Sequence, residues 1–467
     1  MRLPGTPTTF VESFSAAWRR TDMLFGIVAP GAMLSQPIPL RHPFIFYVGH
    51  LPAFAWNHVC RGVLGRPSFN PRFDEIFDRG IDPDVDDPSR CHAHPDVPQR
   101  WPGLEEVITY RDRVRDSIVD SLADVGACAS TNLMARRHRV LSMAIEHELM
   151  HQETLLYILQ QLGGDAKIRP PDVTYSSAAG IRSRAVAVEE GTATLGVAFD
   201  DVDFGWDNEF PRMPVEVPAF SIDSTPVTNE QFHHFVDSGA YHQRAFWTDV
   251  DWAWKTRVGL EAPLCWIKQD GGCWWYRTMF DRIPLSDAGD WPVYVSLAEA
   301  QAYARWSGAR LPTEAEFQRA AYGVPDGEDR PFPWGEEPPT ARHGNFDFAR
   351  WSPDPVGSHP DGVSAWGVHD LVGNGWEWTE TVFGPFAGFH AYIPGYPGYS
   401  ADFFDGKHYV LKGASWATAA ALIRPSFRNW YQARYPYVFA KFRCVRSGRL
   451  ADLSGPGTGA GASPRRP

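Results

Sequence analysis

His147 and His151 stand four residues apart in a helix-like run from Met143 to Leu159, and Glu153 follows two positions later. A helix with about 3.6 residues per turn puts the two imidazoles one turn apart on one face, where both can grip a single metal ion. Glu153 falls roughly 200° around the axis from His151, so it does not share that grip. A third ligand must come from another element. His50 is the candidate, because it sits amid apolar residues from Phe44 to Trp56, where a charged imidazolium is costly and a neutral ligand is not.

The elements that must position these histidines are helices. Apolar residues recur at three- and four-residue spacing over 9–27, 42–64, 103–125 and 129–162, which predicts four helices packed as a bundle. Bundle cores hold metal sites built from side chains on facing helices. Residues 1–165 therefore read as a helical metal-binding domain. A Pro-, Ser- and Arg-rich stretch, 166–185, reads as a linker. From 186 to 447 the texture changes to short β-type runs with many Trp, Gly and turn signals, a second and mixed domain. Residues 448–467 are too poor in apolar side chains to order themselves and read as a disordered tail.

Composition narrows the chemistry. With 467 residues, 43% of them hydrophobic, the chain can bury more than one core. A formal charge of -12 argues against a nucleic-acid partner and favours small or cationic substrates. The apolar run from Met23 to Leu34 is too short to span a bilayer, and six cysteines without a pairing framework suit a reducing compartment. The expectation is a cytoplasmic protein with no membrane partner.

Several segments of the second domain resemble a known family. Pro292–Ala300, Trp306–Phe317, Phe332–Gly335 and Leu371–Thr379 are similar to the formylglycine-generating-enzyme-like (sulfatase-modifying-factor) fold, related to C-type lectins. The histidine motif with its upstream His50 resembles a DinB-like bundle. The two in this order resemble the iron-dependent sulfoxide synthases of ergothioneine and ovothiol biosynthesis, an α+β architecture. That resemblance implies a ferrous ion on His50, His147 and His151, with O2 as co-substrate, and a chalcogen joined to the imidazole C2 of hercynine or histidine. Three neutral ligands leave coordination positions open for such chemistry.

The resemblance also implies roles in the second domain. Tyr396, in a Tyr-x-x-Tyr-Ser segment followed by Phe403 and Phe404, matches the family's proton donor, and Tyr399 matches a substrate contact. Asn429 and Trp430 match the hercynine-binding stretch, where an aromatic face attracts a quaternary ammonium. Gly373–Trp378 reads as scaffolding. Glu153 reads as support for the metal site.

The chain departs from the ergothioneine enzymes where they hold a thiol zwitterion. An acid and two arginines are replaced here by Tyr431, Tyr435 and Pro436, with Arg434 able to compensate only if it reaches the same pocket. Met150 stands where those enzymes often carry Gln. The selenoneine synthases share this variation, and with it comes the expectation of a selenosugar donor, Se-linked N-acetylglucosamine. A sulfoxide synthase using cysteine or γ-glutamylcysteine is the alternative. A non-redox metal-binding module is the second. No Gly-x-Ser-x-Gly elbow suggests a hydrolase. Cys91, His92 and His94 read as a solvated loop, His58, His233 and His234 as packed or surface residues, and Cys444 as buried and inert.

Overall fold

The computed structural model describes residues 7–88, 98, 100–326 and 328–447. The expected tail, and the loop holding Cys91, His92 and His94, lie outside the described residues.

Helices α1 (Pro7–Ile27), α2 (Phe44–Ala55), α3 (Pro71–Ile76), α4 (Leu104–Ala127) and α5 (Arg139–Gln161) occupy the first part of the chain. α2 packs against α4 and α5, and α1 against α5. α2 is buried throughout, carries Pro52 inside it, and runs on through a π-helical turn at Trp56–Val63. α5 starts later than its apolar period predicts. Arg137 and His138 take φ of 55° and 54°, a left-handed backbone that cannot continue a right-handed helix, so residues 129–138 form turns instead.

No helix or strand lies between residues 168 and 184. Beyond it come β1 (Ala185–Val188), β2 (Gly191–Leu195), β3 (Met213–Val217), β4 (Phe220–Asp223) and β5–β7 within 266–284. Helices α6 (Asn229–Asp237), α7 (Asp249–Val258), α8 (Leu297–Trp306) and α9 (Glu314–Tyr322) belong to the same domain, and α9 packs against β2 and β3. α6, α8 and α9 each begin with a Thr or Ser whose hydroxyl accepts from the third helical N–H. The site is carried by β8 (Gly375–Val382), the short α10 (Gly398–Ala401), β9 (His408–Ala414), β10 (Asn429–Gln432) and β11 (Ala440–Lys441), with β12 (Val445–Ser447) last. Four of these strands form one sheet in the order β10-β9-β8-β11, antiparallel except where β11 runs parallel to β8. Gly413 makes that sheet possible: at φ 85°, a Cβ there would stand 2.3 Å from the carbonyl of Leu371. The fold is α+β, a helical region followed by a domain of mixed sheets.

A polar seam joins the two parts. Asp82, from the loop after α3, accepts from Arg41 Nη1 at 2.8 Å and meets His408 Nε2 at 3.1 Å, while His408 Nδ1 meets Asp405 at 3.0 Å. With a carboxylate on each ring nitrogen, His408 is held as an imidazolium. Burial alone lowers its pKa, but Asp405 and Asp82 outweigh that and raise it to about 9. This group stabilises the fold fully below its unfolded value near pH 6.5, and the contribution is lost as pH rises through about 9. The unfolding temperature of the native protein should therefore fall between pH 6.5 and 9 more steeply than that of His408→Gln. Parallel slopes in thermal scans across that range would exclude the bridge as a stabilising contact.

Candidate metal centre

Three imidazoles from two helices meet at one point. His147 and His151 project from α5 with ring centroids 4.4 Å apart, and His50 of α2 lies 4.9 and 4.8 Å from them. One nitrogen from each ring falls within 4.8 Å of the others, the one such cluster of metal-ligating side chains among the described residues. Gly49 lets this happen. A Cβ there would stand 2.5 Å from the Phe77 ring, so only glycine lets Phe77 lie close enough for its carbonyl to meet His50 Nδ1 at 2.7 Å. That bond requires a proton on Nδ1 and leaves the Nε2 lone pair aimed at His151 Nε2, 3.2 Å away.

Burial keeps all three rings neutral. It pushes His50 down to about 4 and is the largest cause of the downward shifts of His147 and His151, followed by the neighbouring histidines. Neutral imidazoles are metal ligands. The fit to a divalent ion is good. Nδ1 of His147 and of His151 is buried without a protein partner, so no protein bond fixes the tautomer of either ring, and each can present a lone pair to an ion. The 3.2 Å between His50 and His151 nitrogens is what two ligands about 2.0–2.1 Å from one ion span near a right angle. An all-nitrogen set suits ferrous iron or another borderline metal rather than magnesium or calcium.

Glu153 is not in the cluster. Its carboxylate accepts from Trp376 Nε1 at 2.8 Å, Ser415 at 2.6 Å and Thr418 at 2.9 Å, all in the second domain. Desolvation raises its pKa to about 7, against the pull of these three donors. The motif reads as scaffolding, and Trp376 does more than that: its indole ties β8 to the histidine helix. Glu146, seven residues earlier and back on the same stripe of α5, does the same through Arg424 and Trp206.

The histidines open into a cavity of about 220 Å³ between the domains. Tyr396, Tyr399, Asn429, Trp430 and Tyr431, five of the expected site residues, line it. Tyr396 sits at the mouth of α10, its ring 6.2 Å from those of Phe54 and His58, with the Arg79 guanidinium 5.2 Å above it. Burial is the largest cause of its raised pKa, pushed up to about 12, so the phenol keeps its proton. Trp430 stacks on Phe383 at 4.4 Å and meets Tyr399 edge-on at 5.4 Å. Asn429 accepts through Oδ1 from the Trp430 N–H, which leaves its NH2 group to donate into the cavity.

Two expected substrate residues do not reach this space. Arg434 turns outward to ion pairs with Asp86 and Asp251, and Tyr435, 1% exposed, stacks behind Tyr431. The chain leaves β10 after Gln432, so positions 434 and 435 no longer follow the strand's alternation. Arg41 and residues 78–82 take the wall instead, a contribution that the Pro- and Asp-rich loop sequence does not signal. His58 is half-buried against Phe54. Cys444 is buried, its thiol pushed up to about 12 chiefly by desolvation, which makes it unreactive.

Comparison with known proteins agrees with both halves. Residues 13–155 match the DinB superfamily, and residues 175–448 match the sulfatase-modifying factor enzyme 1-like domain. Hercynine oxygenase of Mycolicibacterium thermoresistibile is 34% identical over 412 residues, spanning 87% of this chain and 87% of that protein. Hercynine oxygenase of Mycobacterium tuberculosis is 37% identical over 72% of this chain and 76% of its own length. Ergothioneine biosynthesis protein 1 of Neurospora crassa is 30% identical over 93% of this chain and 57% of its own. With both domains matched and a relative 34% identical over 87% of each chain, the chain belongs to the hercynine oxygenase family of enzymes.

Proposed function

We propose that this protein uses O2 and a ferrous ion to join a chalcogen to the imidazole C2 of hercynine. The observation that carries the reading is one cavity shared by three neutral histidines, the Tyr396 phenol and the Asn429–Trp430 pair. His50, His147 and His151 would hold the iron, which supplies redox chemistry with O2 and open coordination positions. The quaternary ammonium of hercynine suits the aromatic corner of Trp430 and Tyr399, and the Asn429 NH2 suits its carboxylate or ring nitrogen. Tyr396 holds a proton at its hydroxyl and delivers it within the cavity. Family membership leaves the non-redox binding module without support. A cytoplasmic, reducing setting fits the five described cysteines, all free thiols.

The proposed donor is a selenosugar. Tyr431, Tyr157 and an Arg41 guanidinium neutralised by Asp82 form the wall where a zwitterion would need free charge, and Arg434 is committed elsewhere. Phenols and a paired ion suit a hydroxylated ring. The reaction balances as follows: the C2–H and Se–H bonds break, C2–Se forms, one oxygen atom stays on selenium as a selenoxide, and the other leaves as water. A cysteine-type thiol is the second reading, favoured by the relatives' names and by half-buried Arg79 on the cavity wall.

The donors separate in one experiment. Iron-loaded protein is mixed without oxygen with hercynine and either the selenosugar, cysteine or γ-glutamylcysteine, then given O2, and products are weighed by mass spectrometry. The selenosugar should give the C2 adduct at least about tenfold faster than either thiol. Turnover with thiols alone would replace the selenium reading with the sulfoxide one, and no turnover with any donor would remove both.

A further inference from the structure

Four consecutive residues far from the metal motif, Trp206, Asp207, Asn208 and Glu209, touch three of the elements that form the cavity. The Trp206 indole N–H donates to Glu146 at 3.0 Å, and Glu146 directly precedes metal-site residue His147 on α5. The same indole stacks on Tyr399 with centroids 4.1 Å apart and planes 22° from parallel. Asp207 accepts from the Ser400 hydroxyl, and Asn208 donates to that hydroxyl at 3.0 Å, so the residue after Tyr399 is fixed as well. Glu209 accepts from Arg424 Nε at 2.8 Å and from Ser426 at 2.6 Å, on the segment that leads into Asn429 and Trp430. Arg424 then closes the circuit, its two terminal nitrogens each 2.9 Å from the oxygens of Glu146.

We infer that this tetrapeptide is the positioning element of the active site, with Trp206 acting through Tyr399. The inference rests on the function proposed above. A bidentate guanidinium between two carboxylates fixes direction as well as distance. It therefore sets α5 and the Asn429 segment relative to one frame, the turn at Trp206–Glu209. Trp206 transmits that frame to Tyr399. The Tyr399 hydroxyl points at Met150 Sδ, 4.0 Å away and one residue before His151, and a thioether is too weak an acceptor to hold it. The phenol's place beside the histidines thus depends on what grips its ring, and its hydroxyl stays available to a substrate in the cavity.

Trp206→Phe removes the indole N–H and keeps an aromatic ring, so it tests the coupling, and thermal unfolding measures the cost of the gap the smaller ring leaves. In the native background it should lower kcat for the oxygen-dependent reaction about tenfold, with iron content unchanged. In a Tyr399→Phe background, where no phenol remains to be placed, it should cost less than about twofold. Equal losses in the two backgrounds, or no loss in the native one, would overturn the inference. Crystal structures of Trp206→Phe and Trp206→Leu decide the same point without turnover. Displacement of the Tyr399 hydroxyl from Met150 supports the coupling, and a Tyr399 unmoved in both variants refutes it. A native enzyme silent with every donor would count against the proposed function, and the structures would still judge the positioning role.

Discussion

His50→Ala abolishes oxygen-dependent turnover, on the order of a thousandfold or more, and takes bound iron with it. Outer contacts to metal ligands already cost about 10–100-fold when removed, and His50 is itself a ligand in this account. It is also the ligand whose tautomer the protein fixes, through Phe77, and the one contributed by a helix other than α5. The substitution leaves the Phe77 carbonyl without its partner, which costs roughly 1–3 kcal/mol of stability. Thermal unfolding separates that loss from the catalytic one, because the fold should survive while metal analysis shows iron below one-tenth of the native stoichiometry. A His50→Ala protein that keeps both iron and activity would remove His50 from the site.

Tyr396→Phe should lower kcat about 10²–10⁴-fold and leave the fold and hercynine affinity nearly unchanged. The ring keeps its neighbours, Phe54, His58 and Arg79, so only the hydroxyl is lost. Since the phenol's pKa is pushed up to about 12, it stays protonated across pH 6–9, and its removal should not shift the pH profile in that range. Single-turnover kinetics with enzyme in excess over hercynine measure the effect directly. A kcat within about threefold of native would assign the proton to another group.

How much of this was legible in the sequence follows from the range of each interaction. His147 and His151 declare themselves because helical spacing is local, and His50 because a polar residue in an unbroken apolar run needs a reason. Tyr396, Tyr399, Asn429 and Trp430 were legible through family resemblance rather than through any periodicity. The start of α5 was misplaced because two left-handed residues, Arg137 and His138, interrupt a run that keeps its apolar rhythm. Arg434 and Tyr435 were expected in the pocket because nothing in the composition shows that the chain turns away after Gln432. The turn at Trp206–Glu209 was not legible at all. Its partners lie 60 residues away at Glu146 and 215 away at Arg424, and ionic contacts over such separations leave no period to read. Glu153 occupies the middle ground: its position on the helix excluded it as a ligand, but only the fold shows three second-domain donors converging on it.

In the proposed reaction one cavity holds a three-histidine metal and hercynine together. Anomalous diffraction at the iron edge, from crystals grown without oxygen with ferrous ion and hercynine, tests it most directly. A single iron peak is expected about 2.0–2.2 Å from nitrogens of His50, His147 and His151. The trimethylammonium should lie against Trp430, with the imidazole C2 turned toward the metal. An iron peak away from these three histidines, or hercynine bound outside the Asn429–Trp430 corner, would contradict that arrangement.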